Sequence, residues 1–157
     1  MITEIGNYRL DVDLNRTQKY YDADTSINCD CPGCRNFIKA IALLPTEVHS
    51  FFRQLGISIE KAPDMTACHS ADGCSTHYSG SYPICGTILE GRNPWTKTAE
   101  ASFQLDPACK VPLTDGFSVF FSSNVNLLDP AFPQPVFTMT FEGNIPWVLE
   151  EPNPYHI

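Results

Sequence analysis

Basic residues are scarce in this chain, and the scarcity is uneven. The 157 residues include 18 Asp and Glu but only 10 Lys and Arg, which gives a formal charge of −8. Residues 63–157 contain only three bases, Arg92, Lys97 and Lys110. Because a negative surface repels phosphate, we expect neither nucleic acid nor an anionic membrane as a partner, whereas a basic protein partner is allowed.

Two kinds of apolar segment are also missing. The opening residues, MITEIGNYRL, contain no basic region followed by an apolar run, so they do not predict a secretory signal. The longest apolar run, near residues 41–44, is far too short to cross a bilayer. We therefore expect a cytoplasmic protein whose seven cysteines stay reduced and do not form a disulfide framework.

The first third of the chain predicts one strand followed by a helical hairpin. In residues 8–14, YRLDVDL, apolar and charged side chains alternate, which is typical of a half-buried strand. Apolar residues at helical spacing then predict two short helices within residues 32–56. Pro45 separates the helices, Thr46 can cap the second, and Gly56 can end it.

The β-rich part, about residues 63–150, has a different pattern. Short runs of β-forming residues, such as Phe137, Met139 and Phe141 alternating with polar neighbours, lie between turn-forming clusters. No linker separates two domains, so residues 1–157 are predicted to form a single domain. We expect an α+β fold: a mostly β antiparallel sandwich with a short two-helix hairpin inserted after the first strand.

Three cysteines lie within six positions in NCDCPGCRNF, residues 28–37. The turn Cys31-Pro32-Gly33-Cys34 is of the kind that brings two thiolates onto one zinc ion, and Cys29 would be a third ligand. A helix beginning at this turn would favour the anionic form of the sulfurs. The spacing therefore predicts a structural zinc site, but three cysteines supply only part of it.

Two other interpretations of the cysteines remain open. In a redox protein, Cys31 would be the reactive thiol and Cys34 would resolve the mixed disulfide, although the thioredoxin context of strands around the helix is missing. Alternatively, the cysteines are small apolar residues packed beneath the helices.

The fourth zinc ligand has to come from elsewhere, and TACHSADGCSTHYS offers two cysteines and two histidines. With a hairpin turn at Asp72-Gly73, Cys68 would face His77 on one side of the sheet. His69 and Cys74 would then point to the other side, so the four cannot bind one ion. We predict that His77, alone or with Cys68, completes the zinc site.

Several segments taken together resemble a family of small uncharacterised bacterial proteins, familiar from clostridial-type Firmicutes. The segments are YRLDVD, CDCPGCRNF, LGISIEKAPD, YSGSYPICGTI and IPWVLEEP. The resemblance covers nearly the whole chain, and its most specific part is the CxCxxCRNF motif. The family has no known biochemical function, so the resemblance implies no catalytic residues here.

No phosphate-binding glycine loop, G-x-S-x-G elbow or H-E-x-x-H helix occurs in the sequence. We therefore predict a small non-enzymatic binding domain, with a protein partner and a cysteine cluster that holds zinc. One alternative is a redox or metal-sensing protein that uses Cys31 and Cys34. The other is an immunity-type protein that binds a basic partner through its acidic surface.

Overall fold

A computed structural model describes residues 1–23, 29–72, 74–125 and 130–155 of the chain. Nine strands lie in these residues: β1 (Ile2–Ile5), β2 (Tyr8–Val12), β3 (Asp64–His69), β4 (Ser75–Glu90), β5 (Trp95–Ala99), β6 (Ser102–Leu105), β7 (Val111–Thr114), β8 (Phe117–Ser122) and β9 (Val136–Pro146). The α-helices among them are α1 (Leu14–Ala23), α2 (Pro32–Ala40) and α3 (Thr46–Gln54). No helix among these residues is long and apolar enough to span a membrane.

Seven of the strands form one antiparallel sheet, in the order β1-β2-β4-β9-β8-β7, and β3 also pairs with β4. Strands β5 and β6 form a separate two-stranded ribbon. The helix pair α2 and α3, expected after the first strand, follows β1, β2 and α1. The predicted α+β, mostly β, antiparallel class is confirmed.

The long strand β4 organises the sheet because it has partners along its whole length. Its first part, Ser75–Cys85, pairs with β9, and its last part, from Gly86 onward, pairs with β2. At the junction, Gly86 has a φ of +145°, and a Cβ there would lie 2.0 Å from the carbonyl oxygen of Asp11. Glycine is therefore required where β2 crosses closest to β4.

Helix α1 was not predicted, because its apolar face is weak. Among its side chains, only Thr17 and Tyr21 are buried. Asp13 caps the helix, since its Oδ1 accepts a hydrogen bond from the Arg16 N–H at 3.1 Å. The Thr17 hydroxyl accepts the N–H of Cys85 at 3.0 Å, so this helix is attached to β4 through a polar contact as well as a buried ring.

Helices α2 and α3 have nearly the predicted boundaries. Pro32 begins α2 and Pro45 separates it from α3, whereas Gly56, with a φ of +76°, follows the end of α3. The capping prediction for Thr46 is wrong. Pro45 occupies the N-cap position, which has no side-chain hydrogen bond, and Thr46 is the first helical residue.

The helix pair covers one face of the sheet through aromatic side chains. Phe37 of α2 packs against Tyr78 and Phe141, and Phe52 of α3 packs edge-on against Tyr82. These rings are almost fully buried. Burial of each such side chain contributes about 1.5–3 kcal/mol, so this layer holds the helices, and with them the cysteine turn, in place on the sheet.

Candidate metal centre

The cysteine turn is built into the start of α2. Cys31 is the N-cap residue, and its Sγ accepts a hydrogen bond from the Cys34 N–H at 3.4 Å. Its carbonyl oxygen accepts the Arg35 N–H at 3.0 Å. A thiol sulfur thus fills the position that Ser or Asp usually occupies at a helix N-terminus. Pro32 follows at the first helical position, where a missing N–H costs nothing.

This turn brings three sulfurs together. The Sγ atoms of Cys29, Cys31 and Cys34 all lie within 4.8 Å of one another. Tetrahedral zinc with bonds of about 2.3 Å holds its sulfur ligands about 3.8 Å apart, so a contraction of roughly 1 Å at most would suffice. Cys29 is exposed and Cys34 is 9% exposed, so the group is open to water on one side and packed on the other.

The three thiols differ in their electrostatic surroundings. The hydrogen bond from the Cys34 N–H lowers the pKa of Cys31, and the neighbouring sulfurs lower it further. Burial raises the pKa of Cys34 to about 12, and the adjacent cysteines contribute to the increase. Cys31 therefore ionises before Cys34, which burial and its neighbours keep in the neutral thiol form.

Gly33 lets the rest of the protein approach the turn closely. A Cβ at Gly33 would lie 2.7 Å from the Tyr155 hydroxyl oxygen and 3.2 Å from the Ala67 Cβ. The pKa of Tyr155 is raised by its burial and then by the nearby Cys31 and Cys34. Residues more than 80 positions apart therefore meet at this turn.

The Asn36 side chain gives a structural role to a residue that follows the cysteines in the CxCxxCRNF motif. Its side chain is fully buried and connects α2 to two other segments. The amide nitrogen donates to the Tyr78 hydroxyl at 3.1 Å and to the Pro146 carbonyl at 3.2 Å, and the amide oxygen accepts the Val148 N–H at 2.7 Å. The Tyr78 hydroxyl in turn donates to the Gly33 carbonyl at 2.8 Å.

We call residues 146–155 the closing segment, because they lie against the start of α2. Arg35 forms a paired contact with Glu151, in which Nη2 donates to Oε2 at 3.2 Å, and this arginine lowers the pKa of the Glu151 carboxyl. The Trp147 indole donates to the Glu151 carbonyl at 2.8 Å. The closing segment therefore covers the cysteine turn through charge, hydrogen bonds and the Tyr155 ring.

The structure does not bring His77 to the cysteines. The predicted register is confirmed, since Cys68 lies opposite His77 across β3 and β4, although Gly73 of the predicted turn lies outside the described residues. The neighbouring Tyr78 points its hydroxyl towards the turn, so His77 faces the other side of the sheet. There its Nδ1 lies 3.0 Å from the Asn144 Oδ1.

His69, on the face of β3 opposite to Cys68, lies on the cysteine side of the sheet. Ala67 and His69 are two residues apart on β3, so their side chains face the same side of the sheet. The His69 Nδ1 lies 3.3 Å from the Tyr155 carbonyl oxygen. No histidine joins the three-cysteine group among the residues that the structure describes. The protein side chains described thus offer three sulfur ligands, and water can reach the exposed side to complete a coordination sphere.

Comparison with known proteins gives no match to any family model, curated protein or solved structure. The resemblance to the bacterial family with the CxCxxCRNF motif therefore stays a prediction.

Proposed function

We propose that this chain is a small non-enzymatic binding domain in which Cys29, Cys31 and Cys34 hold a structural zinc ion. The observation that supports zinc is the convergence of three sulfurs within 4.8 Å at a helix N-terminus. The backbone hydrogen bond at the helix N-terminus favours the thiolate of Cys31, and thiolates are preferred ligands of zinc. The protein partner expected from the acidic composition stays a prediction.

The role of the ion would be to stabilise local structure. The turn lies between α2, β3 and the closing segment, so an ion at the three sulfurs fixes the loop that enters α2. Zinc binding is then part of the folding free energy, because the site forms only when the chain is folded. A free zinc concentration one hundred times the Kd would stabilise the fold by about 2.7 kcal/mol.

The test is the zinc content of protein prepared without chelator or metal-affinity tag, measured beside the unfolding midpoint with and without chelator. We expect about one zinc per chain and a lower midpoint after chelation. Cys31→Ser and Cys34→Ser should lose the metal, whereas Cys68→Ser, an exposed cysteine outside the group, should keep it. Zinc-free protein, or variants of the group that retain full zinc, would overturn the proposal.

A thiol–disulfide exchange activity is the second candidate, favoured by the unequal burial of Cys31 and Cys34. The Cys31 thiolate would attack a substrate disulfide and release one substrate sulfur as a thiol, leaving a mixed disulfide. Cys34 would then lose its proton, attack the Cys31 sulfur and release the second substrate thiol. The protein ends with a Cys31–Cys34 disulfide and the substrate is reduced by two electrons.

Glutathione disulfide separates the two candidates. A redox protein should react within minutes, and Cys34→Ser should accumulate the mixed disulfide on Cys31. A structural zinc site should protect all three thiols until a chelator is added. Fast reaction without a chelator would therefore support exchange and contradict structural zinc.

A further inference from the structure

A large cavity lies away from the cysteine turn, beneath the β5–β6 ribbon. It measures about 690 Å³, within the range of about 300–1,000 Å³ that is usual for small-molecule sites. Four aromatic rings line it: Tyr8 and Phe121 from the sheet, and Trp95 and Phe103 from the ribbon. The two ribbon rings are unusually exposed for their size, Trp95 at 37% and Phe103 at 63%.

The Trp95 side chain also borders a second cavity of about 270 Å³. This cavity lies over the sheet face opposite the helices and is lined by hydroxyl side chains, including Ser79, Ser81 and Thr140, and by the Asp64 carboxylate, which can accept hydrogen bonds from ligand hydroxyls. The Trp95 ring packs edge-on against Phe120 of that face, with centroids 5.9 Å apart. An aromatic site and a hydroxyl-lined site thus meet at one tryptophan.

The cavity contains polar groups that the fold does not use. In the part of the chain that is described, the Trp95 indole N–H has no hydrogen-bond partner. The Asn93 amide oxygen accepts the Trp95 backbone N–H at 3.2 Å, which leaves the Asn93 amide nitrogen as a second donor. The Ser123 hydroxyl lines the same cavity. A purely apolar ligand would take these groups from water without replacing their hydrogen bonds, which is costly.

The charge of the cavity is balanced. Arg92 is the one charged side chain among its described lining residues, and it is paired with Asp106. The chain as a whole carries a formal charge of −8, which disfavours an anionic ligand. A cation would meet no unpaired carboxylate in this lining. The balance therefore points to a neutral ligand.

From these observations we propose that the ribbon cavity binds a neutral saccharide, with one sugar ring stacked on Trp95. A sugar ring combines an apolar C–H face, which suits the Trp95 and Phe103 rings, with hydroxyls that both donate and accept hydrogen bonds. The hydroxyl-lined second cavity would take a further ring of the same oligosaccharide. This proposal does not depend on zinc.

Fluorescence provides a selective test, because the chain has two tryptophans. In Trp147→Phe, Trp95 is the only indole, and its emission reports directly on the cavity. We expect a saturable change with at least one short neutral oligosaccharide of glucose, xylose, galactose or N-acetylglucosamine. Treatment with a chelator should leave the affinity unchanged, which separates this site from the cysteine turn.

Calorimetric titration of variants in the full-length chain then assigns the contacts. Trp95→Ala and Phe103→Ala should each weaken binding by at least about tenfold, whereas Leu43→Ala, an exposed side chain outside the cavity, should not change it. Urea unfolding of each variant confirms that the fold is retained. The proposal is overturned if no neutral oligosaccharide binds, if binding survives in Trp95→Ala, or if only anionic or purely aromatic compounds bind.

Discussion

Replacing Asn36 by leucine should lower the free energy of unfolding, because leucine cannot form the hydrogen bonds of the buried Asn36 amide. The change leaves the Val148 N–H and the Pro146 carbonyl without their partner, whereas the Tyr78 hydroxyl keeps the Gly33 carbonyl as acceptor. Each buried polar group that loses its partner costs about 1–3 kcal/mol. Since both groups are only partly buried, we expect a total loss of about 3 kcal/mol.

Urea unfolding, followed by tryptophan fluorescence and circular dichroism, measures this loss. With a slope of about 2 kcal/mol per molar, the midpoint should fall by roughly 1.5 M. Lys39→Leu, an exposed change on the same helix, is the matched control and should stay within about 0.5 kcal/mol. A midpoint shift below about 0.5 M for Asn36→Leu would refute the reasoning.

The same variant tests the link between Asn36 and the cysteine turn. If Asn36 holds the closing segment in place, its loss should let that segment detach and expose Cys34. Alkylation of Cys34 in zinc-free protein should then be faster in Asn36→Leu than in Lys39→Leu. Equal rates would mean that the Arg35–Glu151 pair and the Tyr155 ring keep the turn covered without Asn36.

Two further predictions concern the sheet. Gly86→Ala should lower the free energy of unfolding by more than about 4 kcal/mol or abolish cooperative unfolding, because the new Cβ would overlap the Asp11 carbonyl. The control is Gly116→Ala, where φ is +74° but the nearest neighbours are 3.9 Å away, and it should cost only about 1–2 kcal/mol in the same urea assay. Equal losses in the two variants would contradict this. Burial raises the pKa of Tyr78 to about 12 and that of Tyr82 well above its usual value. Their contribution to stability is complete below pH 10 and falls above it by up to about 1.4 kcal/mol per pH unit for each ring. Above pH 10, the unfolding midpoint of Tyr82→Phe should fall less steeply with pH than that of the unchanged protein. The same slope in both would argue that Tyr82 does not contribute to the pH dependence.

Much of the fold was predictable because its signals are local. Alternation identified β2 and β9, and the helical period with Pro45 and Gly56 identified the α2–α3 pair. Helix α1 was missed because its buried face includes Thr17, whose burial depends on a hydrogen bond to β4 that no local pattern reveals. The cap at Asp13 was the one available signal.

The cysteine group was predictable for the same reason, since Cys29, Cys31 and Cys34 are brought together by a short turn. The residues that surround this group were not predictable from the sequence. Strand parity correctly separated His69 from His77, but which side of the sheet faces α2 depends on tertiary packing. Tyr155 reaches the turn across 122 positions of sequence, and no spacing rule carries that information.

The position of the closing segment has a consequence for synthesis. Arg35 and Glu151 are separated by 116 residues, so at 5–20 residues per second a ribosome makes the cysteines roughly 6–23 s before their cover. Strand β9, which pairs with both β4 and β8, is also among the later elements made. During this interval the three thiols belong to a nascent chain without a completed sheet. An oxidant that reaches them in this interval meets thiols that the closing segment does not yet cover.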